Sequence, residues 1–556
     1  MVPGAEQIIN PGPRRPVTGL TAAWSVDHSA VGATVRRILD MGGNAFDAGV
    51  AGALTECAVS PHLTCLAGAL TGLLYVARTG EYHQLESTGT MPEGLPAFSP
   101  LPSQGARSVA SIPGSIAGLQ ALHERFGTLP WAELCADAIA WSEEGHLVSS
   151  FEYGVLVEYQ SVITASPAGR ALFRPGGLPV NVGERLRNPA FAQTLCQLAE
   201  IGPEHMISGD WARAFVEQAN RIGWRITLAD MAVPARWLQP LRFNHRGHEI
   251  VAPAPPQMSG VMSALALGIM RHQQVESGGY LTADHLFHLS HALRHAFQQC
   301  VYIGDPDVCG YDWAPLLDDA MQAQFARLLN GLRPKIDLTR HTALRGPVGD
   351  LPLGFTNAIG EPTPHDAAAF GPRSGSCELS IVDAQGNWLQ LMTTCAAGGI
   401  PGQVIGGVPM HGSAYGFSAL QPVFHAKFVS GVRARGVVGH TFILEDGKPR
   451  MGLGTPGAPC LVVPQILSNM LDFGLDPQAA IDAPRCSMMD DQESFVAEDR
   501  ISSDAVSGLA AMGVRMRAMA GLEWHTGSIQ ACWREGDRLA ATTDPRRTGV
   551  AGGHLA

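Results

Sequence analysis

A small hydroxyl residue that follows glycine and directly precedes a strand can act as a nucleophile that starts a new chain. The peptide around Ser376, GPRSGSCELSIVDAQGN, has this form. Gly375 has no Cβ, so its backbone reaches conformations in which the Ser376 hydroxyl could attack the preceding carbonyl. An N-to-O acyl shift and hydrolysis would then cut the chain between Gly375 and Ser376. The α-amine set free has an ordinary pKa of roughly 7.7 to 8.0 and can serve as general base for the hydroxyl beside it. One residue would supply both nucleophile and base. A Gly-Ser pair before a strand is equally an ordinary turn, so the local residues alone leave both readings open.

Other residues also have types and spacings that could carry chemistry. The segment GLGTPG, residues 452–457, matches the glycine pattern of a dinucleotide loop, with Asp472 where a ribose-binding acid would stand. Against that reading, Pro456 sits inside the loop and no second βαβ unit follows. His285, His288, His291 and His295 share one predicted helix, and the last two are spaced like a metal pair. No Cys or Glu nearby completes a ligand set, and the bland reading is four structural histidines. Cys377 adjoins Ser376, but on a strand its side chain faces the opposite way, which suits core packing. His62, after Pro61, reads as structural. Arg546 and Arg547 in TDPRR read as ties for the C-terminus, with a pocket role open.

The elements that must position Ser376 follow from patterning. CELSIVD and NWLQLMTT alternate apolar and polar residues around AQGN, which predicts a hairpin starting at Ser376. Near the start, AAWSVDH predicts a strand, Val31, Val35, Ile38 and Leu39 an amphipathic helix, and Asn44 with Asp47 the opening of a second helix. The Ala/Gly-rich stretches DAGVAGALTE and CLAGALTGLLYV predict close packing of helix on strand. Residues from about 110 to 345 predict one continuous helical layer.

Composition sets the frame. The 556 residues are 46% hydrophobic and 16% charged, with a net charge of -12 and no Lys/Arg run. This fits a globular enzyme with a sizeable core, and offers no electrostatic footprint for nucleic acid or anionic lipid. The expected partner is a small-molecule substrate. No apolar signal stretch opens the sequence and no run of about 18 apolar residues occurs, so a cytoplasmic location is expected. Eleven cysteines without a C-x-x-C pair predict reduced thiols.

Read end to end, the sequence resembles the γ-glutamyltranspeptidase family of N-terminal nucleophile hydrolases, from about residue 20 to 555. MGGNAFDAGVAGAL, ARTGEYHQLEST, SIPGSIAGLQALHERFGTLPW, EEGHLVS, YIGDPD, CELSIVDAQGN, GLGTPGAP, DFGLDPQAAIDAPR and TDPRRTGVAGG follow the family's landmarks in order. The resemblance implies an α+β fold, a four-layered αββα sandwich. It also implies self-cleavage into a large chain 1–375 and a small chain 376–556, which stay together as a heterodimer with further dimerisation open. No metal or organic cofactor is implied.

Residue by residue, Ser376 stands where the family carries its catalytic threonine. Thr394 matches the threonine that hydrogen-bonds the nucleophile, and Gly457 and Ala458 match the pair whose N–H groups form the oxyanion hole. Such a donor contributes about 2.7 to 4 kcal/mol. The substrate contacts depart from the family. Its L-D-G-R-E-T-A-P reads LESTGTMP here, putting Thr88 in the place of the carboxylate-gripping arginine. Ala396 replaces an asparagine, Tyr415 the acid that holds the substrate amine, and Gly436 and Val437 the paired serines of the pocket wall. Loss of these handles predicts poor γ-glutamyl transfer.

Family members with altered pockets include cephalosporin-type acylases, an oxamate amidohydrolase and homologues in 4-alkylproline antibiotic pathways. The expected activity is hydrolysis of an amide, or of a C–C bond beside a carbonyl, through a serine ester. The alternatives are a genuine γ-glutamyl hydrolase or transferase, a cephalosporin-type acylase, an uncleaved binding protein and, distantly, a nucleotide-binding oxidoreductase.

Overall fold

The computed structural model describes residues 8–92, 111–300, 302–307, 310–331, 375–395, 398–411, 431–434, 436, 438–457, 459–489 and 494–555. Thirteen strands belong to one hydrogen-bonded sheet. In chain order they are β1 (Val17–Val26), β2 (Ala69–Val76), β3 (Glu81–Ser87), β4 (Arg236–Leu238), β5 (Leu241–His245) and β6 (His248–Ala252). After them come β7 (Ser376–Val382), β8 (Trp388–Thr394), β9 (Thr441–Glu445), β10 (Lys448–Gly454), β11 (Gln530–Glu535), β12 (Arg538–Thr543) and β13 (Val550–Leu555). Their spatial order is β4-β3-β2-β8-β7-β1-β12-β11-β10-β9-β6-β5, with β13 also paired to β1.

Every pairing in this sheet is antiparallel. The sheet doubles back on itself, because Trp388 of β8 and Phe442 of β9 lie far apart along the strand order yet their rings sit 6.2 Å apart. The apolar space between the facing strands holds Leu20, Leu73, Tyr75, Val382, Trp388, Phe442, Cys532 and Leu539.

The main helices are α1 (Ser29–Asp40), α2 (Ala45–Val59), α3 (Ser115–Phe126), α4 (Trp131–Glu144), α5 (Ser150–Glu158), α6 (Pro189–Ile201) and α7 (Asp210–Arg221). They are followed by α8 (Ser259–Gln273), α9 (Ala283–Cys300), α10 (Pro459–Leu471) and α11 (Ser503–Ala511). Helix α2 opens as the sequence predicts. The Asn44 side chain accepts from the Phe46 and Asp47 N–H groups, while Asp47 accepts from the Asn44 N–H. All fifteen residues of α2 are buried. A Cβ on Gly49 would lie 2.2 Å from Leu389, and one on Gly52 2.5 Å from Leu379. The small residues thus let α2 lie directly on the β7–β8 hairpin.

The helices do not form one continuous layer. Helices α1–α4, α6 and α7 share a core with Leu379, Ile381, Leu389 and Leu391 of the hairpin. Helices α8–α11 share a separate core with Ile443, Met451, Leu453 and Trp533. Strands β4–β6, inside the stretch expected to be helical, mark the changeover between the two cores. They are three to five residues long and lie at the two ends of the strand order. Such short edge strands leave a weak alternation signal.

Candidate active site

The predicted hairpin forms, with Ser376 opposite Thr394 and Val382 opposite Trp388. On an antiparallel strand alternate residues share a face and also share the neighbour to which their N–H and C=O point. Ser376, Glu378 and Ser380 therefore face the interior between the two halves of the sheet, while Cys377 and Leu379 face α2. Cys377 is fully buried and packs with Leu63, Tyr159 and Phe173. Burial, reinforced by the nearby Glu56 and Asp27 carboxyls, raises its thiol well above the ordinary value. A thiol held protonated is a poor nucleophile, which agrees with the core-packing role expected of Cys377.

The bond expected to break is the first peptide of β7. The Thr394 hydroxyl donates to the Gly375 carbonyl at 3.1 Å. The hydrogen bond thus falls on the carbonyl that Ser376 would attack, and a donor there polarises the carbonyl toward addition. A Cβ on Gly375 would lie 2.1 Å from Leu63 Cδ2, so the chain passes too close to Leu63 for a larger residue without movement.

Gly457 follows β10 and precedes α10 with φ +69°, a conformation open to glycine at little cost. It lies against Arg547, whose Nη2 would be 3.2 Å from a Cβ placed there. The same guanidinium donates through Nη1 to the Ser376 carbonyl at 2.9 Å. One buried side chain therefore spans the two predicted parts, nucleophile and oxyanion loop. Ala458 lies outside the described residues.

The predicted substrate wall is brought together in part. The Thr88 hydroxyl donates to the Ala434 carbonyl at 2.9 Å, so the residue in the arginine's place is tied to the backbone of a distant segment. Gly436 lies against Gln257, whose Oε1 would be 2.5 Å from a Cβ at that position. Gln257 in turn donates to Glu86 at 2.8 Å, and burial raises the Glu86 carboxyl above its usual range. This wall reaches Thr394, opposite Ser376, through close-packed backbone. Gly68 lies under the Thr394 carbonyl, Gly398 under Ala67 and Gly68, and Gly89 under Gly398. Ala396, Tyr415 and Val437 lie outside the described residues.

Sequence reasoning missed several buried partners of this region. Asp27 accepts from the Glu378 N–H at 2.7 Å. Glu378 itself meets His440 Nδ1 at 2.9 Å, and His440 Nε2 lies 3.0 Å from the Thr71 hydroxyl. Glu378 and His440 are 62 residues apart, a contact no local pattern reveals.

The competing signals resolve differently. GLGTPG does stand between a strand and a helix, but β10 pairs antiparallel on both sides, and Asp472 is engaged by His245 and Arg246 at 2.9 and 2.8 Å. The parallel βαβ frame of a dinucleotide site is absent from this sheet. His285, His288, His291 and His295 lie on α9 and are all buried. Among the described residues no three His, Cys, Asp or Glu side chains are grouped to hold a metal ion. His62 is buried beside Glu152 at 3.3 Å. Arg546 pairs with Glu498 and Asp544 and ties the C-terminal segment, as expected, whereas Arg547 reaches the Ser376 carbonyl. No described helix is long and apolar enough to cross a membrane.

Comparison with known proteins gives a consistent picture. The gamma-glutamyltranspeptidase family profile matches residues 31–554. The glutathione hydrolase proenzyme of Pseudomonas aeruginosa is 28% identical over 548 residues, covering 92% of this chain and 91% of that protein. The acylase ACY 1 proenzyme of Pseudomonas sp. strain SE83 is 26% identical, covering 85% and 83%. Among solved structures, the cephalosporin acylase of Bacillus halodurans superposes with a TM-score of 0.81 at 23% identity over 98% of both chains. The structure described as LmbA2991HD gives 0.82 at 24% identity over 98% and 100%. At these identities the two structures speak for the fold alone.

Proposed function

Because the chain belongs to the gamma-glutamyltranspeptidase family, we propose that it is a self-processing hydrolase whose nucleophile is Ser376 and whose substrate is not a γ-glutamyl compound. Cleavage at Gly375–Ser376 gives chains 1–375 and 376–556, which remain together as a heterodimer in the cytoplasm. The folded-back sheet with helix cores on either side is read as the four-layered αββα sandwich. The observation that carries the proposal is the hydrogen bond from Thr394 to the Gly375 carbonyl, placed on the bond to be cut. Several of the curated relatives are described as proenzymes, which supports the same reading.

In maturation, the Ser376 hydroxyl adds to the Gly375 carbonyl, the C–N bond breaks, and the acyl group passes to the serine oxygen. Breaking the C–N bond, with the hydroxyl proton passing to the departing nitrogen, frees the Ser376 amine, and water then cleaves the ester to give the Gly375 carboxylate and the Ser376 hydroxyl. In turnover the amine accepts the hydroxyl proton as the oxygen attacks a substrate carbonyl. The backbone N–H groups of Gly457 and Ala458 hold the oxyanion, the leaving group departs with the proton, and water releases the acyl group.

Two observations support a non-γ-glutamyl acyl group. Thr88 spends its hydroxyl on Ala434, and Gly436 presents no side chain. Thr88 in the place of the cationic clamp favours a less charged acyl group, whose scissile bond is an amide or a C–C bond next to a carbonyl, as in pathways to 4-alkylproline antibiotics. A second reading, glutathione hydrolysis or a cephalosporin-type acylase activity, follows from the names of the similar proteins.

The test has two arms. Intact mass of fresh protein is expected to show two fragments meeting at residue 376, and Ser376→Ala a single uncut chain. Processing by that variant would sink the nucleophile assignment. The mature protein is then assayed on a γ-glutamyl anilide, aliphatic acyl amides and 2-keto acids. Ordinary turnover of the anilide would favour the second reading.

A further inference from the structure

Strand β1 stops short of the nucleophile. Its pairing with β7 runs from Ala23–Val382 to Val26–Leu379. The chain then turns away, with His28 capping α1 through an acceptor contact to the Ala30 N–H at 3.1 Å. Residues 376–378 of β7 therefore project past the last partner on that side. The Ser376 carbonyl and the Glu378 N–H point to this edge, since Gly375 points to the other, where Thr394 binds it. Buried backbone groups left in that position need partners.

Two side chains provide them. Arg547 donates to the Ser376 carbonyl at 2.9 Å, and Asp27 accepts from the Glu378 N–H at 2.7 Å. Both are buried, at 1% and 4% exposure. Each is fixed from behind. The Arg547 guanidinium lies near the rings of Phe151 and Trp524, 5.7 and 5.5 Å from their centroids. The second Asp27 oxygen accepts from Ser528 and Gln530 at 3.0 and 2.9 Å. Gly457 touches Arg547 from the far side.

We propose that Arg547 and Asp27 are positioning residues that stand in for the missing continuation of β1, hold Ser376 in register and set it against the oxyanion loop. The inference rests on Ser376 as nucleophile. Hydrogen bonds to charged groups are stronger than backbone pairs, so the pair fixes the strand start without a covering strand. Arg547 acts through the Ser376 backbone and does not touch the reacting atoms.

Arg547→Ala is expected to slow self-cleavage between about 10- and 100-fold, the rate equivalent of losing one hydrogen bond from a charged donor. In matured protein kcat should fall with KM little changed. Added guanidinium should restore part of the rate. The pocket lined by Asp27, His62, Phe151, Arg547 and Thr548 gives it a place to bind. Arg547→Lys, which keeps charge and one donor, should retain more activity than Arg547→Ala, and guards against a folding defect in the larger truncation.

Amide exchange reads the grip apart from catalysis. The Glu378 N–H should lose protection in Asp27→Ala even on a Ser376→Ala background. Maturation and turnover of Arg547→Ala at the parent rate, with Glu378 protection unchanged in Asp27→Ala, would overturn the inference while leaving the nucleophile in place. Processing by Ser376→Ala would instead remove the nucleophile, and Glu378 exchange would still decide the grip.

Discussion

Adjacent arginines in TDPRR do different work, and the difference is decided by contacts far away in sequence. Arg546 is fully buried, bidentate to Glu498 at 2.6 and 2.9 Å, and close to Asp544 at 3.2 Å. Asp544 also meets Arg485, and Glu498 meets Arg500. Removing one member leaves carboxylates buried without enough counter-charge. Arg546→Ala should therefore lower stability by about 3 to 5 kcal/mol, read as a fall in the denaturant midpoint. Thr394→Val keeps the shape but removes the donor to the Gly375 carbonyl. It should slow maturation roughly three- to tenfold with little change in melting temperature, as followed by the half-time of the uncut band. Around Ser376 the strand start was legible from local pattern, while its reading as a nucleophile rests on the order of motifs on both sides. Arg547 was not, since its partner is 171 residues away and TDPRR reads equally well as a structural tie.

At the scale of elements, the hairpin β7–β8 was the clearest feature of the sequence. Its strands alternate cleanly and AQGN leaves little doubt about the turn. Strands β4–β6 were illegible because short edge strands carry too few alternating positions to stand out among helices. Helix α9 shows what a residue pattern conceals. Its four histidines resemble a ligand array, yet burial pushes His285 and His288 down to about 4 and His291 to about 3. Neighbouring Arg294, His288 and His295 add to the depression at His291, and only Asp472 opposes it at His285.

A histidine depressed in the folded state binds protons mainly when unfolded. Its stabilising effect is complete above the ordinary value near 6.5 and is lost as pH falls toward the folded value. At pH 5 each of the three should cost on the order of 2 kcal/mol. The urea midpoint should thus drop steadily between pH 6.5 and pH 4, and replacing His291 with an apolar residue of similar size should blunt the fall.

At the scale of the molecule, the segments on either side of the proposed cut at residue 376 interleave. Strands β1–β6 precede the cut and β7–β13 follow it. Along the sheet, β2 meets β8, β7 meets β1, β1 meets β12 and β13, and β9 meets β6. Each junction carries backbone hydrogen bonds across the proposed boundary. Matured protein should elute as one species in gel filtration without denaturant, with both fragments in the peak. Separate elution would refute the interleaved arrangement. The local elements could be read from the sequence, but not this order, because β1 takes partners from the last thirty residues, and strand patterning says nothing about which distant strand becomes a neighbour.

The hydrogen bond between Thr394 and Gly375 has an implication for timing. If Ser376 is the nucleophile proposed above, the Gly375–Ser376 peptide would take the place of an incoming acyl group before the cut, and the precursor would be a complex with its first substrate. Cleavage would then work as a one-time unlocking step. A reversible inhibitor of the mature enzyme should find no vacancy in Ser376→Ala, and the lag between synthesis and first turnover should equal the time taken to cut a single bond.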